Sequence, residues 1–331
     1  MMMNSRFPIF DRRNLKLEPL ARRKHDLELS DILPLQSVQP VKEQMHSIAS
    51  EIISARSKNA SVVLMMGAHV IRSGVQRFII NLMEKGYLSC VAMNGAGVIH
   101  DFEFALIGAT TESVADYIRG GYFGFWQETG RINDIVSEAA QLKMGLGESV
   151  GKVIEEENFP YRDISILAAG YRLGIPITVH VGIGYDIIHE HPNCDGAAYG
   201  ATSYIDFLRF AKILEKLEEG VVMNFGSAVM APEVYLKALA MVRNIARQQG
   251  RNITNFTTLV CDLVDLPENY RKEASHDESS YYFRPWKTML IRTVADGGKS
   301  CYIKSSHVET IPQLWSAICL IEESKQLCND G

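Results

Sequence analysis

Short, uniformly apolar runs alternate along this chain with longer segments that are apolar on one side only. Met45, Ile48, Ile52 and Ile53 recur at helical spacing within residues 41–57, and SVVLMMG follows as a continuous apolar run ending in glycine. This predicts a helix, a buried strand and a turn. The alternation repeats: VQRFIINLMEKG is helical, YLSCVAMNGAG is a strand running into a glycine turn, and HDFEFALIG begins the next helix. ISILAAG after Asp163, IPITVHVGIG after Gly174, GVVMNFGSA from Gly220 and NFTTLVCDLVD after Asn252 read as further strands. Amphipathic segments such as SYIDFLRFAKILEKLEEG and PEVYLKALAMVRNIARQQG lie between them. Strands without polar alternation, separated by helices, belong to parallel sheets buried on both faces. The expected fold is therefore a doubly wound α/β structure, a mainly parallel sheet with helices on both faces, of Rossmann-like form.

Residues 1–40 differ from the rest, because isolated leucines alternate with charges and Pro8, Pro19, Pro34 and Pro40 interrupt any long helix. They read as an arm packing on an α/β domain of residues 41–331. The stretch from Tyr117 to Gly151 is rich in glycine and polar residues and reads as less regular, a lid or an oligomer contact. Phe123, Phe125 and Trp126 within it suit either packing or a lid over a ligand. A chain of 331 residues with 47% hydrophobic and 22% charged content can fill a large core. A net charge of -5 supplies no basic field for a phosphate backbone, so nucleic acid is not expected as a partner. Six cysteines scattered without paired spacing suit a reducing compartment. No stretch reaches the roughly 18 apolar residues of a membrane helix and the start lacks a signal-peptide core, so a cytoplasmic location with no membrane partner is expected.

Ligands of open parallel sheets gather at the carboxyl ends of the strands. Four ends here combine glycine with polar groups: Gly67 to Gly74, Met93 to Asp101, Asn224 to Ala228, and Val260 to Asp265. None reproduces G-x-G-x-x-G after the first strand, so an ordinary dehydrogenase fingerprint is absent. Ser227 lacks the flanking glycine of a nucleophile elbow. A separate constellation of His180, Asp186, His189, Glu190, His191, Cys194 and Asp195 crowds possible metal ligands into one strand and loop, although it matches no standard ligand motif. It keeps open an alternative, a metal-dependent hydrolase using the His180–Asp195 loop, beside the simpler reading of a polar loop; no metal ligand is assigned.

The stretch GAHVIRSGVQRFIINLMEKGYLSCVAMNGAGVIHDFE resembles the part of deoxyhypusine synthases where a Ser-Asn-x-x-Ser-Ser-Gly turn and helix lead to a strand ending in Thr-Thr-Ala-Gly-Gly-Val-Glu-Glu-Asp. In the same order, IPITVHVGIGYDIIH, GVVMNFGSAVMAP, VCDLVD, RPWKTML and SSHVETIPQL are similar to later segments of that family, over roughly residues 60–320. The resemblance implies an NAD-dependent aminobutyl transferase acting on a polyamine such as spermidine, with a protein or small-molecule acceptor, assembled as a homotetramer. It implies a catalytic Lys287 beside Trp286, with His100 standing where the family has a glutamate. It places cofactor contacts at Ser73, Gly74, Gly95, Ala96, Gly97, Gly226 and Asp265, with Asn94 and Ser227 beside them. The chain also departs from the family: Lys287 follows Trp286 without the intervening glycine, Ala231 and Pro232 replace the paired proton-transfer histidines, and Ser306-His307 replaces an NAD-contacting Asp-Ala. Loss of those histidines leaves a noncatalytic nucleotide-binding protein as a further reading.

Overall fold

The computed structural model describes residues 6–329; residues 1–5 of the expected arm and the Cys328 side chain lie outside the described residues. Two short strands, β1 (Leu27–Glu28) and β4 (Ala109–Thr110), form an antiparallel pair. The main sheet contains β2 (Val62–Met66), β3 (Cys90–Asn94), β5 (Ile177–His180), β6 (Val221–Phe225), β7 (Thr257–Asp262) and β8 (Lys299–Lys304). All its neighbours pair in parallel, in the order β5-β3-β2-β6-β7-β8. Counted along the chain that order is 3-2-1-4-5-6, the arrangement of the Rossmann fold.

The uniformly apolar strands make this double winding work, because their side chains point alternately to two separate cores. Val62, Leu64 and Met66 enter one core, together with the helices Glu43–Ser57, Gln76–Glu84 and Gly95–Ile107. Val63 and Met65 enter the other, against Gly196–Leu214 and Met230–Gln248. Full burial of β2 therefore costs no polar side chain on either face. Among the described residues no helix is long and apolar enough to cross a membrane.

Several expectations need correction. ISILAAG is not a strand but part of the helix Ile166–Leu173. Its start is fixed by Asp101, a buried residue whose carboxylate accepts from the Ser165 hydroxyl and from the backbone N–H groups of Ile166 (2.8 Å) and Leu167 (3.1 Å). Ser165 Oγ then accepts from the Ala168 N–H, so the first-turn donors that would drive a strand to seek a partner are satisfied within the helix. A short apolar run cannot by itself distinguish these outcomes. The region from Tyr117 to Gly151 is more regular than expected, with helices at Gln127–Leu142 and Leu146–Glu156. The helix after β3 begins at Gly95 itself, with no glycine turn before it. β8 carries lysines at both ends and is only partly buried, as suits an edge strand, and this mixed pattern hid it from the apolar-run criterion.

The described part of the arm lies on the body through several contacts. β1 pairs with β4, Glu18 exchanges backbone hydrogen bonds with Phe125 and Gln127, and the Leu33 N–H donates to the Gly74 carbonyl. Trp126 is buried, edge-on to Tyr117, with its Nε1 donating to Glu112. Asp101→Ala is expected to leave two helix-start donors without partners and to cost about 3 kcal/mol. Urea unfolding with an unchanged slope and a lowered midpoint is the expected result.

Candidate functional site

β2 lies at the middle of the sheet with β3 on one side and β6 on the other, and the chain leaves β2 and β6 toward opposite faces. Such a reversal opens a crevice at the carboxyl ends of the two strands. A cleft of about 630 Å³ occupies this place, lined by Gly67, Asn94, His100, Gly182, Gly226, Ser227 and neighbouring residues. The two strand ends approach so closely that a Cβ on Gly67 would stand 2.5 Å from the Gly226 carbonyl oxygen. Only glycine fits there.

Much of the polar lining is committed to holding the loops. Asn94 Oδ1 accepts from the Gly97 N–H and caps the helix Gly95–Ile107. Asn224 grips Ser227 from both sides, donating to its carbonyl and accepting from its N–H, and Ser227 Oγ accepts from the Ala231 N–H. Asp186 lies against Gly95, where a Cβ would meet its carboxylate oxygen at 2.0 Å, and it accepts from the Ala96 N–H. That carboxylate already fills the helix start at Gly95. Burial pushes it up to about 6, so it changes charge near neutral pH.

The cleft continues past Ala96, His100, Tyr185 and Asp186 into a second chamber of about 270 Å³. Its wall mixes apolar Ile99, Val114, Phe123 and Ile187 with Arg23, Arg72, Glu103 and Glu112. Glu112 accepts from the Gly124 N–H (3.0 Å) and the Trp126 indole (2.9 Å), its second oxygen has no partner among the described residues, and burial raises its carboxyl. Glu190, close by, is pushed up to about 7 by burial and by Glu112. Arg72 makes no ion pair among the described residues and only approaches His69 at 3.4 Å.

Arg23, from the arm, forms a fully buried pair with Glu103 through two hydrogen bonds of 2.9 and 2.7 Å. Thr110 and Thr129 each donate a hydroxyl to the same carboxylate at 2.6 Å. Burial alone would raise Glu103, but Arg23 and the two hydroxyls outweigh it and hold the carboxyl below its ordinary range.

The structure brings together Asn94, Gly95, Ala96, His100, Gly226 and Ser227 on the cleft. It does not bring the other expected residues there. Ser73 donates its hydroxyl to the His69 carbonyl, and Gly74 faces the arm, where a Cβ would meet the Asp31 carbonyl at 2.1 Å. Gly97 packs on Met93, and Asp265 is exposed and paired with Lys304. Trp286 is buried in the second core with its indole on the Tyr270 carbonyl. Trp286 and Lys287 lie on a wide helical turn, Trp286–Arg292, not on a strand, and Lys287 Nζ sits 3.9 Å from the Tyr281 ring, outside the residues lining the cleft.

The histidine-rich loop is also dispersed. His180 bonds Thr178, His189 accepts backbone N–H groups of Gly184 and Asp186, His191 bonds the Gly124 carbonyl, and Asp195 caps the helix Gly196–Leu214. Among the described residues no group of three His, Cys, Asp or Glu side chains is placed to hold a metal. Arg23 and Glu112 were missed as site residues because neither adjoins a glycine-ended strand.

The profile of a family described as "Arginine dihydrolase ArgZ-like, C-terminal, Rossmann fold" matches residues 46–146, which hold β2, β3 and the first wall of the cleft. No curated protein matches the sequence. A conserved candidate LOR/SDH protein from Methanococcus maripaludis shares the fold at 15% identity and TM-score 0.51, over 87% of this chain and 72% of that one. Unliganded AgrE does so at 16% identity and TM-score 0.50, over 86% of this chain and 34% of AgrE. The chain spans about a third of the length of AgrE and of the cyanobacterial ArgZ. A candidate deoxyhypusine synthase from Entamoeba histolytica overlays with TM-score 0.39 at 9% identity, over 84% of this chain and 88% of that one, too distant to carry an argument. The matched profile and the LOR/SDH protein share the Rossmann-type fold with this chain, and the resemblance to deoxyhypusine synthases finds only weak support among these neighbours.

Removing one partner of the Arg23–Glu103 pair strands a buried charge, and Arg23→Met is expected to lose about 3–5 kcal/mol near neutral pH. Because the Glu103 carboxyl is lowered in the folded state, the pair's contribution is complete above its ordinary value of 4.5 and fades as pH falls through the folded one. Urea midpoints measured down a pH series should therefore show wild type and variant converging in acid.

Proposed function

We propose that the cleft between the ends of β2, β3 and β6 binds NAD and that the protein uses it to oxidise a small-molecule amine held in the second chamber. The observation that carries this reading is the strand-order reversal between β2 and β6, opening onto a cleft of about 630 Å³ at the place where Rossmann folds take dinucleotides. The match of residues 46–146 to a Rossmann-fold profile supports it. Gly67, Gly226 and the backbone beyond Ser227 would lie along the cofactor. When bound, NAD supplies a hydride acceptor for the carbon that bears the amine.

The chamber's own residues support the amine. Asp186 and Glu112 are carboxylates raised by burial, with an unpartnered oxygen on Glu112, and a cationic nitrogen between them relieves that cost. Ile99, Phe123 and Ile187 exclude water around the attached carbon chain. AgrE has been crystallised with L-arginine, an amine-bearing ligand, which supports the same class. A polyamine or a related amine fits this description. We do not carry over aminobutyl transfer through Lys287, which stacks on Tyr281 away from the cleft. Exposed Ile183, Tyr185 and Val229 at the cleft rim support assembly into a homo-oligomer.

Quenching of protein fluorescence by NAD is expected in the wild type, with Ala96→Trp weakening binding at least about tenfold by filling the cleft and Lys287→Ala leaving it unchanged. No saturable NAD binding would end the proposal. NAD binding without NADH formation from a panel of amines would favour the noncatalytic reading. Since Asp186 ionises near pH 6, amine affinity should rise with pH across that value, and Asp186→Asn should remove the rise.

A further inference from the structure

We infer that the arm, through Arg23, Glu103 and Thr110, locks His100 in the tautomer that carries its proton on Nδ1, so that Nε2 faces the cleft as a neutral acceptor reserved for an N–H or O–H group of the ligand. The ligand class rests on the proposed function; the tautomer does not.

Glu103 is ionised and receives four hydrogen bonds, two from Arg23 and one each from the Thr110 and Thr129 hydroxyls. A threonine hydroxyl has one proton to give. Thr110 has given it to Glu103 Oε2 at 2.6 Å, because a carboxylate without that proton would face the hydroxyl oxygen lone pair to lone pair. Thr110 Oγ1 can then only accept from His100 Nδ1, which lies 2.9 Å away. Nδ1 must be the protonated nitrogen. Burial pushes the ring down to about 4 against the opposing pull of Glu103, with the nearby cations Arg72 and Arg23 adding to it, which favours a neutral ring with Nε2 bare.

That nitrogen is placed to meet a ligand. His100 lines both the cleft and the second chamber, and its Nε2 makes no hydrogen bond among the described residues. An ammonium, amine or hydroxyl donor is accepted there, whereas a carbonyl or carboxylate oxygen meets a lone pair and is rejected. In this role Arg23, Glu103 and Thr110 are positioning residues that act on the ligand through His100. Arg23 comes from a segment 80 residues away from Glu103 in sequence, so the arm becomes part of the site.

The test is imidazole nitrogen NMR on the full-length chain labelled with 15N-histidine, with the His100 signals assigned by their loss in His100→Gln. Wild type should show proton-bearing Nδ1 and bare Nε2. Thr110→Val, which keeps the shape but offers no acceptor, should move the proton to Nε2 or divide it between the nitrogens, and Thr110→Ser should restore the wild-type pattern. A wild-type ring protonated on Nε2, or a Thr110→Val spectrum unchanged from wild type, overturns the inference. Adding NAD to the same sample separates the two claims: unperturbed His100 signals at saturating NAD count against the cofactor reading and leave the tautomer result standing.

Discussion

The pairing of β2 with β6 is the constraint on which the rest of the molecule depends. These two strands sit side by side and in register from Val62 opposite Val221 to Met66 opposite Phe225, yet the chain enters a different core after each. Their ends can stay together only because Gly67 has no Cβ to strike the Gly226 carbonyl. Held together below and parted above, they leave the crevice that the glycine loops and the two following helices enclose. Asn94 caps the helix after β3 and Ser227 accepts from the first turn of the helix after β6, so the cleft's walls are held by the chain's own hydrogen bonds.

A second constraint is electrostatic. Around the second chamber the chain buries Asp186, Glu112 and Glu190 with fewer hydrogen-bond donors than carboxylates require, and burial raises all three. Only a few residues away Glu103 is treated in the opposite way, with four donors and a buried guanidinium. Burial also raises Asp206 to about 7 away from this chamber, so underserved carboxylates are not confined to it. Both the satisfied pair and the raised Asp186 and Glu112 line the chamber.

How far the sequence reveals this depends on how local each cause is. β2, β3, β5, β6 and β7 announce themselves because burial on both faces favours apolar residues at most of their positions. β8 does not, since an edge strand tolerates Lys299 and Lys304 at its ends. ISILAAG is helical because Asp101, more than 60 residues earlier, satisfies its first N–H groups, and no periodicity within the segment contains that information. The strand-end residues Asn94, Gly95, Gly226 and Ser227 were legible from glycine and polar spacing alone. Arg23 was not, because its role arises from a contact between arm and body. Lys287 was drawn to the site by a motif whose local geometry this chain does not keep: a helical turn carries Trp286 into the core and leaves Lys287 on Tyr281.

The central claim is that the crevice between β2 and β6 is a dinucleotide site. A crystal structure of the protein soaked with NAD tests it most directly. The account predicts density for the dinucleotide across the ends of β2 and β6, beside Gly67 and Gly226. A crevice that stays empty at saturating NAD, or a dinucleotide bound elsewhere on the molecule, would contradict it.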